Sequence, residues 1–436
     1  MHCYVRFWLF VSPGCLRLKA ALLACAMALA VPLNAWSAES LSFSEAQRIA
    51  VQRSRQLAAQ DAAVASAMEM ALAAGQLPDP TLRLGVDNLP IEGPDRLSLS
   101  RDFMTMSRIG VSQEFTSVEK RRLRSARVER EADRSLAEKD AVLAVVARDT
   151  GIAWLEVFHL ERLRAAVGEQ IGQTRFEIEA VEGAYRGGRV SQADVLAARS
   201  TRVMLEDRLS ELNRRVRNAR AVLARWIGER AAAGELVEVP AMDDVPFRSH
   251  TLEQQLASHP EITVMDREVA IKEADVRLAQ ANKRADWTWE LAYQKRGTLF
   301  SDMVSVGVSI PLQWDQSNRQ DPEIAAKLAL VDKARAQRDE ALRQRLTEVT
   351  TMLNEWENGR ERLARYRREL MPLARARAES LESAYRSGKG ELAGVLAARR
   401  NEMEVLAQSI VLEIDTARVW AQLRFLYPDA RAREIR

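Results

Sequence analysis

Ala184-Tyr185-Arg186-Gly187-Gly188-Arg189 returns 200 positions later as Ala384-Tyr385-Arg386-Ser387-Gly388-Lys389. Just downstream, Val195-Leu196-Ala197-Ala198-Arg199 recurs unchanged at Val395 to Arg399. Two blocks in one register are not a chance event, so the chain reads as one plan used twice. Working outward, Ile109-Gly110-Val111-Ser112 corresponds to Val306-Gly307-Val308-Ser309, and a helix at 44–76 to another at 252–283. Each half then runs helix, two strands, very long helix, Gly-containing turn, helix. Repeat one covers about 41–228 and repeat two about 251–428. The linker 229–250, with Pro240 and Pro246, is expected outside the wall that the helices form.

Each half holds a pair of strands with period-two patterning. Leu82, Leu84 and Val86 alternate with Arg83, Gly85 and Asp87, and the partner strand carries Ile109, Val111, Gln113 and Phe115. In the second half Trp287, Trp289, Leu291 and Tyr293 alternate with polar or small residues, as do Val304, Val306, Val308, Ile310 and Leu312. Nine to eleven alternating residues match a tilted membrane-spanning strand, and Phe115, Trp287, Trp289 and Trp314 sit near strand ends as interfacial aromatics do. Four strands cannot close a barrel, so spanning strands require several copies to share one. The run from Ser117 to Arg186 has no Pro and makes a helix roughly 100 Å long. Asp321-Pro322 opens a second such run to Arg386, with a kink expected at Pro372. A seven-residue seam is visible at Leu136, Leu143, Thr150 and Val157, and at Val146, Ala153, Leu160 and Val167. The other helices are about half as long, so two stacked end to end would match one long helix.

Residues 1–38 read as a secretory signal peptide: Arg17 and Lys19 precede the apolar run Ala20 to Val31, and small residues around Ser37-Ala38 offer cleavage. Cys25 within this run loosely suits a lipidation box. All three cysteines (Cys3, Cys15, Cys25) lie in this leader, so the mature chain at 39–436 would have no disulfide and no thiolate chemistry. The chain has 64 basic and 61 acidic residues. The leader holds Arg6, Arg17 and Lys19 and no acid, so the remainder is formally neutral and lacks the charge that nucleic-acid binding requires. No later stretch is apolar enough for a transmembrane helix.

These residues resemble the TolC family of outer-membrane efflux proteins, or outer membrane factors. The doubled plan, the alternating hairpins and the paired Tyr-x-x-Gly turns carry the resemblance. It implies a mainly α chain with a small β part, assembled as a homotrimer. Twelve strands, four per chain, close a β-barrel in outer-membrane lipid and continue into a long α-helical periplasmic barrel. The implied function is a passive exit duct of a tripartite system, joined to a periplasmic adaptor protein and an inner-membrane resistance-nodulation-division pump. Leu77-Pro78-Asp79-Pro80 through Asn88-Leu89-Pro90, with Asp102 to Met106, resembles the branch paired with heavy-metal pumps. Gly187, Gly188, Arg189, Gly388 and Lys389 match the tip where adaptors dock. Asp194 matches an acid of that motif and is a candidate tunnel-mouth acid. The second half departs here, with Gly394 in the equivalent place.

Catalytic chemistry has no support: there is no phosphate-binding loop and no locatable nucleophile arrangement, and no cofactor or metal site is expected. His159, His250 and His259 are scattered. Met104 and Met106 suit a soft metal but read better as packing residues. Glu177, Glu179 and Glu182, and the pairs Arg121-Arg122 and Arg367-Arg368, read as solvated helix faces. Besides the duct, the pattern admits a secreted coiled-coil scaffold or an exported hydrolase; the four matched strands speak for the duct.

Overall fold

The computed structural model describes residues 40–247 and 251–427; the leader with its cysteines, and His250, lie outside the described residues. The chain begins with β1 (Leu41–Ser42), α1 (Phe43–Arg53) and α2 (Arg55–Ala74), followed by β2 (Thr81–Asp87) and β3 (Met106–Phe115). The long α3 (Val118–Arg186) and α4 (Gln192–Ile227) complete the first half. The linker contains α5 (Glu229–Ala232) and β4 (Leu236–Val237). The second half runs α6 (Leu252–Ala257), α7 (Pro260–Ala281), β5 (Trp287–Lys295), β6 (Met303–Ser309), α8 (Gln320–Arg365), a π-turn (Tyr366–Leu370), α9 (Met371–Arg386) and α10 (Leu392–Arg424).

The expected 44–76 helix is two helices. Ser54 ends α1 and caps α2, its side chain accepting from Leu57 N–H. The 252–283 helix is likewise broken, because His259 caps α7 ahead of Pro260 at its first position. α3 starts where expected: Ser117 caps it by accepting from Lys120 N–H. The cap expected at Asp321 is displaced. α8 begins at Gln320 without a side-chain cap, and Asp321 instead pairs with Lys283 at 2.5 Å. The kink expected at Pro372 takes the form of the π-turn just before it. Pro lacks a donor and crowds the carbonyl four residues back, here Arg368; widening that turn relieves both.

α3 is the spine, with α2 and α7 packed on its first part and α4 and α10 on its second. Its seam is buried from Leu143 onward, whereas Leu136 remains 43% exposed. The main core gathers around Trp154, Val157 and Leu160 of α3, Leu223 of α4 and Trp420 and Leu423 of α10. Phe43 meets Trp154 edge-on at 5.5 Å, and Phe158 stacks on it at 5.5 Å. The linker is folded onto this core rather than trailing. β4 pairs in parallel with β1, Phe247 is buried, and Trp420 donates to the Asp244 carbonyl.

Candidate membrane sheet and hairpin turns

β2, β3, β5 and β6 form one antiparallel sheet in that order, the two halves meeting at β3 and β5. The register lines up Leu82, Val111, Leu291 and Val306 in one row, and Leu84, Ile109, Tyr293 and Val304 in the next. This apolar face is open: Leu84 is 70% exposed and Val306 63%. The opposite face carries Arg83, Arg108, Glu290 and Gln294, with small Gly110 and Ala292 where the strands approach closely. Arg108 pairs with Glu290 and Asp87, and Arg83 reaches the same Glu290 at 3.4 Å. Gln294 and Ser305 exchange hydrogen bonds at 2.9 and 3.0 Å. Ser112 and Ala292 on this side are nearly covered. A sheet in water buries its apolar face; this one does the reverse. At one end Phe115 stacks on Trp287 at 5.1 Å. Among the described residues β2 and β6 each leave an unpaired edge. β6 stops at Ser309, so Ile310 and Leu312 continue the alternation beyond the strand. Among the described residues no helix is long and apolar enough to cross a membrane.

The two quoted turns have nearly the same geometry. Arg189 N–H reaches the Ala184 carbonyl at 2.9 Å and Gly188 N–H reaches Tyr185 at 2.9 Å; Lys389 to Ala384 and Gly388 to Tyr385 measure 2.9 and 3.0 Å. Gly188 has φ +68° and Gly388 +74°, the left-handed closure of a helix C-terminus. Gly187 is not needed for its conformation: its φ is −85°, and Ser387 stands in the second turn. The chain then re-enters a helix differently in each half. Ser191 and Asp194 form a reciprocal capping box on α4, whose hydrogen bonds from the Ser191 hydroxyl and N–H lower the Asp194 carboxyl pKa. α10 starts at Glu391 without a side-chain cap. The hairpins pack on each other through Val181, Val195, Ala198, Leu392 and Leu396.

Sequence reading missed the clasps across these hairpins. Arg199 binds Glu182 at 2.6 Å, and Arg399 binds Glu382 at 2.6 Å. Both residues keep the 200-residue displacement, a signal that was available. Glu182 is therefore not a merely solvated residue. Nor is Glu177, which is half-buried, and burial pushes its carboxyl up. Arg367 stays exposed, as expected of a solvated face, and from there also reaches Glu413 at 2.8 Å. Burial alone would raise Glu413, but His159 Nδ1 at 3.6 Å, Arg367, and Arg162 at 2.7 Å outweigh it and hold the pKa at about 2. His159 is buried between α3 and α10, and His259 is a cap. Met104 is half exposed in the loop before β3, and Met106 opens that strand opposite Asp87.

No protein-family model matches the chain, and no curated protein matches it. Solved structures do. The outer-membrane channel OprN is 17% identical, with a TM-score of 0.73 over 88% of this chain and 89% of that one. The outer membrane protein VceC of Vibrio cholerae is 19% identical, with a TM-score of 0.71 over 88% of this chain and 95% of that one. CusC, described in connection with transmembrane channel formation, is 12% identical, with a TM-score of 0.72 over 89% and 92%. The chain has the outer-membrane channel fold. In this channel fold the inverted sheet and the two hairpin turns lie at separate places along α3, the sheet joining its start and the first turn closing its end.

Proposed function

We propose that this chain is a TolC-family exit duct of the outer membrane, assembled as a homotrimer. The observation that carries the reading is the four-stranded sheet with its apolar face outward and two edges unpaired. Open edges do not occur in hydrocarbon, because each unpaired backbone group there costs several kcal/mol. Joining the β6 edge of one copy to the β2 edge of the next, three times, closes twelve strands with lipid outside and the Arg83–Arg108–Glu290 face lining a watery lumen. The helices then continue as a periplasmic tunnel. The duct has no energy source of its own, so transport is powered by an inner-membrane resistance-nodulation-division pump, coupled through a periplasmic adaptor that docks at Gly187, Gly188, Arg189, Gly388 and Lys389. The role is non-enzymatic. Asp194 lies beside the docking turn and belongs to the tunnel mouth in this reading. The resemblance to the heavy-metal branch extends the proposal to metal cations as cargo; it rests on sequence alone.

The test is assembly. Outer-membrane fractions should contain an SDS-resistant species near three times the mass of the mature chain, which is the 49.0 kDa of the full sequence less its leader, and it should collapse on boiling. Val306→Lys should cost about 2–4 kcal/mol if near midplane and abolish that species. Ser305→Lys, on the polar face, should leave most of it. Equal tolerance at the two sites would refute the assignment of lipid and lumen faces.

A further inference from the structure

A groove of about 820 Å³ lies between α3 of the first half and α9 and α10 of the second. Leu396, Met403 and Leu406 of α10 give it an apolar lining, and Phe176 of α3 and Tyr385 of α9 each add an aromatic ring. Phe176 is 62% exposed and already takes the Arg175 guanidinium against its ring at 5.2 Å. The charges in the groove do not balance. Five glutamates line it against three arginines, and every arginine is engaged: Arg375 by Glu379 at 3.0 Å, Arg386 by Glu382, and Arg399 by Glu382 and Glu402 at 2.6 and 2.9 Å. Among the described residues the other two acids, Glu169 and Glu177, have no ion-pair partner. Glu177 is half-buried; desolvation pushes its carboxyl up, and the opposing pull of Arg399, shared with two other acids, does not cancel it. Gln170, which also lines the groove, is only 6% exposed, and among the described residues its side-chain amide has no hydrogen-bond partner. A buried polar group of this kind calls for a ligand or water to satisfy it.

We infer that this groove is a binding site for an amphipathic organic cation, a small molecule with a ring-containing apolar body and a positively charged nitrogen. Its volume falls within the range of small-ligand pockets, roughly 300–1,000 Å³, which pair an apolar lining with a few polar groups. The body would lie on Leu396 and Met403 beside the Phe176 and Tyr385 rings, whose faces attract cations. Glu169 and Glu177 supply the counter-charge, and the Gln170 carbonyl can accept from an N–H of the ligand. In this half-dry setting a charge pair is stronger than at an open surface. An anion would meet two uncompensated carboxylates. A bare metal ion has no cage here, because among the described residues no three ligating side chains converge. The groove draws its walls from both halves, so an occupant ties α3 to α9 and α10. Binding here does not depend on the duct reading.

The experiment titrates rhodamine 6G, a permanent cation, into the purified full-length protein in phosphatidylcholine nanodiscs and follows fluorescence anisotropy, with empty nanodiscs as the blank. Saturable binding is expected, and fluorescein, of similar size and opposite charge, should not bind. Glu169→Gln with Glu177→Gln should weaken rhodamine 6G roughly tenfold or more. Phe176→Ala, at an exposed position that the fold does not need, should weaken it as well. Glu357→Gln with Glu361→Gln removes the same charge from exposed positions on α8 and should leave the affinity unchanged. Hydrogen exchange should slow on adding the dye at 166–180 and 375–386, one segment from each half. Binding no greater than to empty nanodiscs, equal binding of fluorescein, unchanged affinity in either groove variant, or an equal loss in the α8 variant overturns the inference. None of these outcomes bears on the duct reading, which stands or falls on trimer assembly.

Discussion

Gly188 needs its left-handed φ of +68°, yet an added Cβ there would meet nothing within 4 Å. The penalty for a side chain is therefore backbone strain and obstruction of a partner, not an internal clash. Gly188→Val should cost about 1–3 kcal/mol locally, abolish efflux-dependent resistance and leave trimer abundance near normal. Gly188→Asn separates the two effects, because Asn tolerates this conformation while adding bulk. Resistance lost in both variants points to the docked surface; resistance kept in Asn alone points to strain. His259 offers a second residue-scale test. Burial and the Arg345 charge lower its pKa to about 4, against a weaker opposing hydrogen bond at Leu426, and its Nδ1 accepts from Glu261 N–H. A base with a depressed folded pKa gives full stability above its unfolded value of about 6.5. That stability falls as pH drops from about 6.5 to about 4, by at most about 3 kcal/mol. Denaturant melts across this window should show the slope, and His259→Asn, which can still cap, should flatten it.

Among the elements, α8 and α10 meet where Gly359 faces Thr416. A Cβ at 359 would lie 2.5 Å from Thr416 Oγ1, which itself donates to the Leu412 carbonyl. Gly359→Ala should cost about 1–3 kcal/mol by forcing these helices apart. Adding Thr416→Ala should recover much of it, a coupling that a double-mutant cycle measures directly. The sheet shows how much of an element is legible without coordinates. Alternation at Leu82, Leu84 and Val86 and at Val304, Val306 and Val308 was enough to name strands and divide their faces, because side chains alternate strictly along a strand. Helix interruptions were harder. Nothing at Ser54 marks a break in the apolar pattern, and Ser is a weak stop without the neighbouring helices that redirect the chain. The π-turn at Tyr366–Leu370 was announced only as a kink at Pro372, since periodicity cannot say how a crowded carbonyl will be relieved.

For the whole molecule, the decisive contact set lies midway along α3, where α1, α4, α10 and the linker converge on Trp154. Trp154→Ala should cost about 3–5 kcal/mol. Because that core joins residues of both halves, circular dichroism and protection of the hairpins should be lost in one transition; separate transitions for the halves would contradict a shared core. The sequence alone determined the doubled plan, the long helices, the faces of the strands and the glycine of each turn, all set by local periodicity or by backbone freedom at one residue. Only the tertiary structure decided which charges meet. Arg199 and Glu182 stand 17 residues apart across a hairpin, Arg162 and Glu413 lie 251 apart, and the linker folds onto the core through Phe247. Such pairings depend on how helices rotate about one another when they bury their seams, and a charged residue on a helix face carries no local mark of the partner that packing will bring to it.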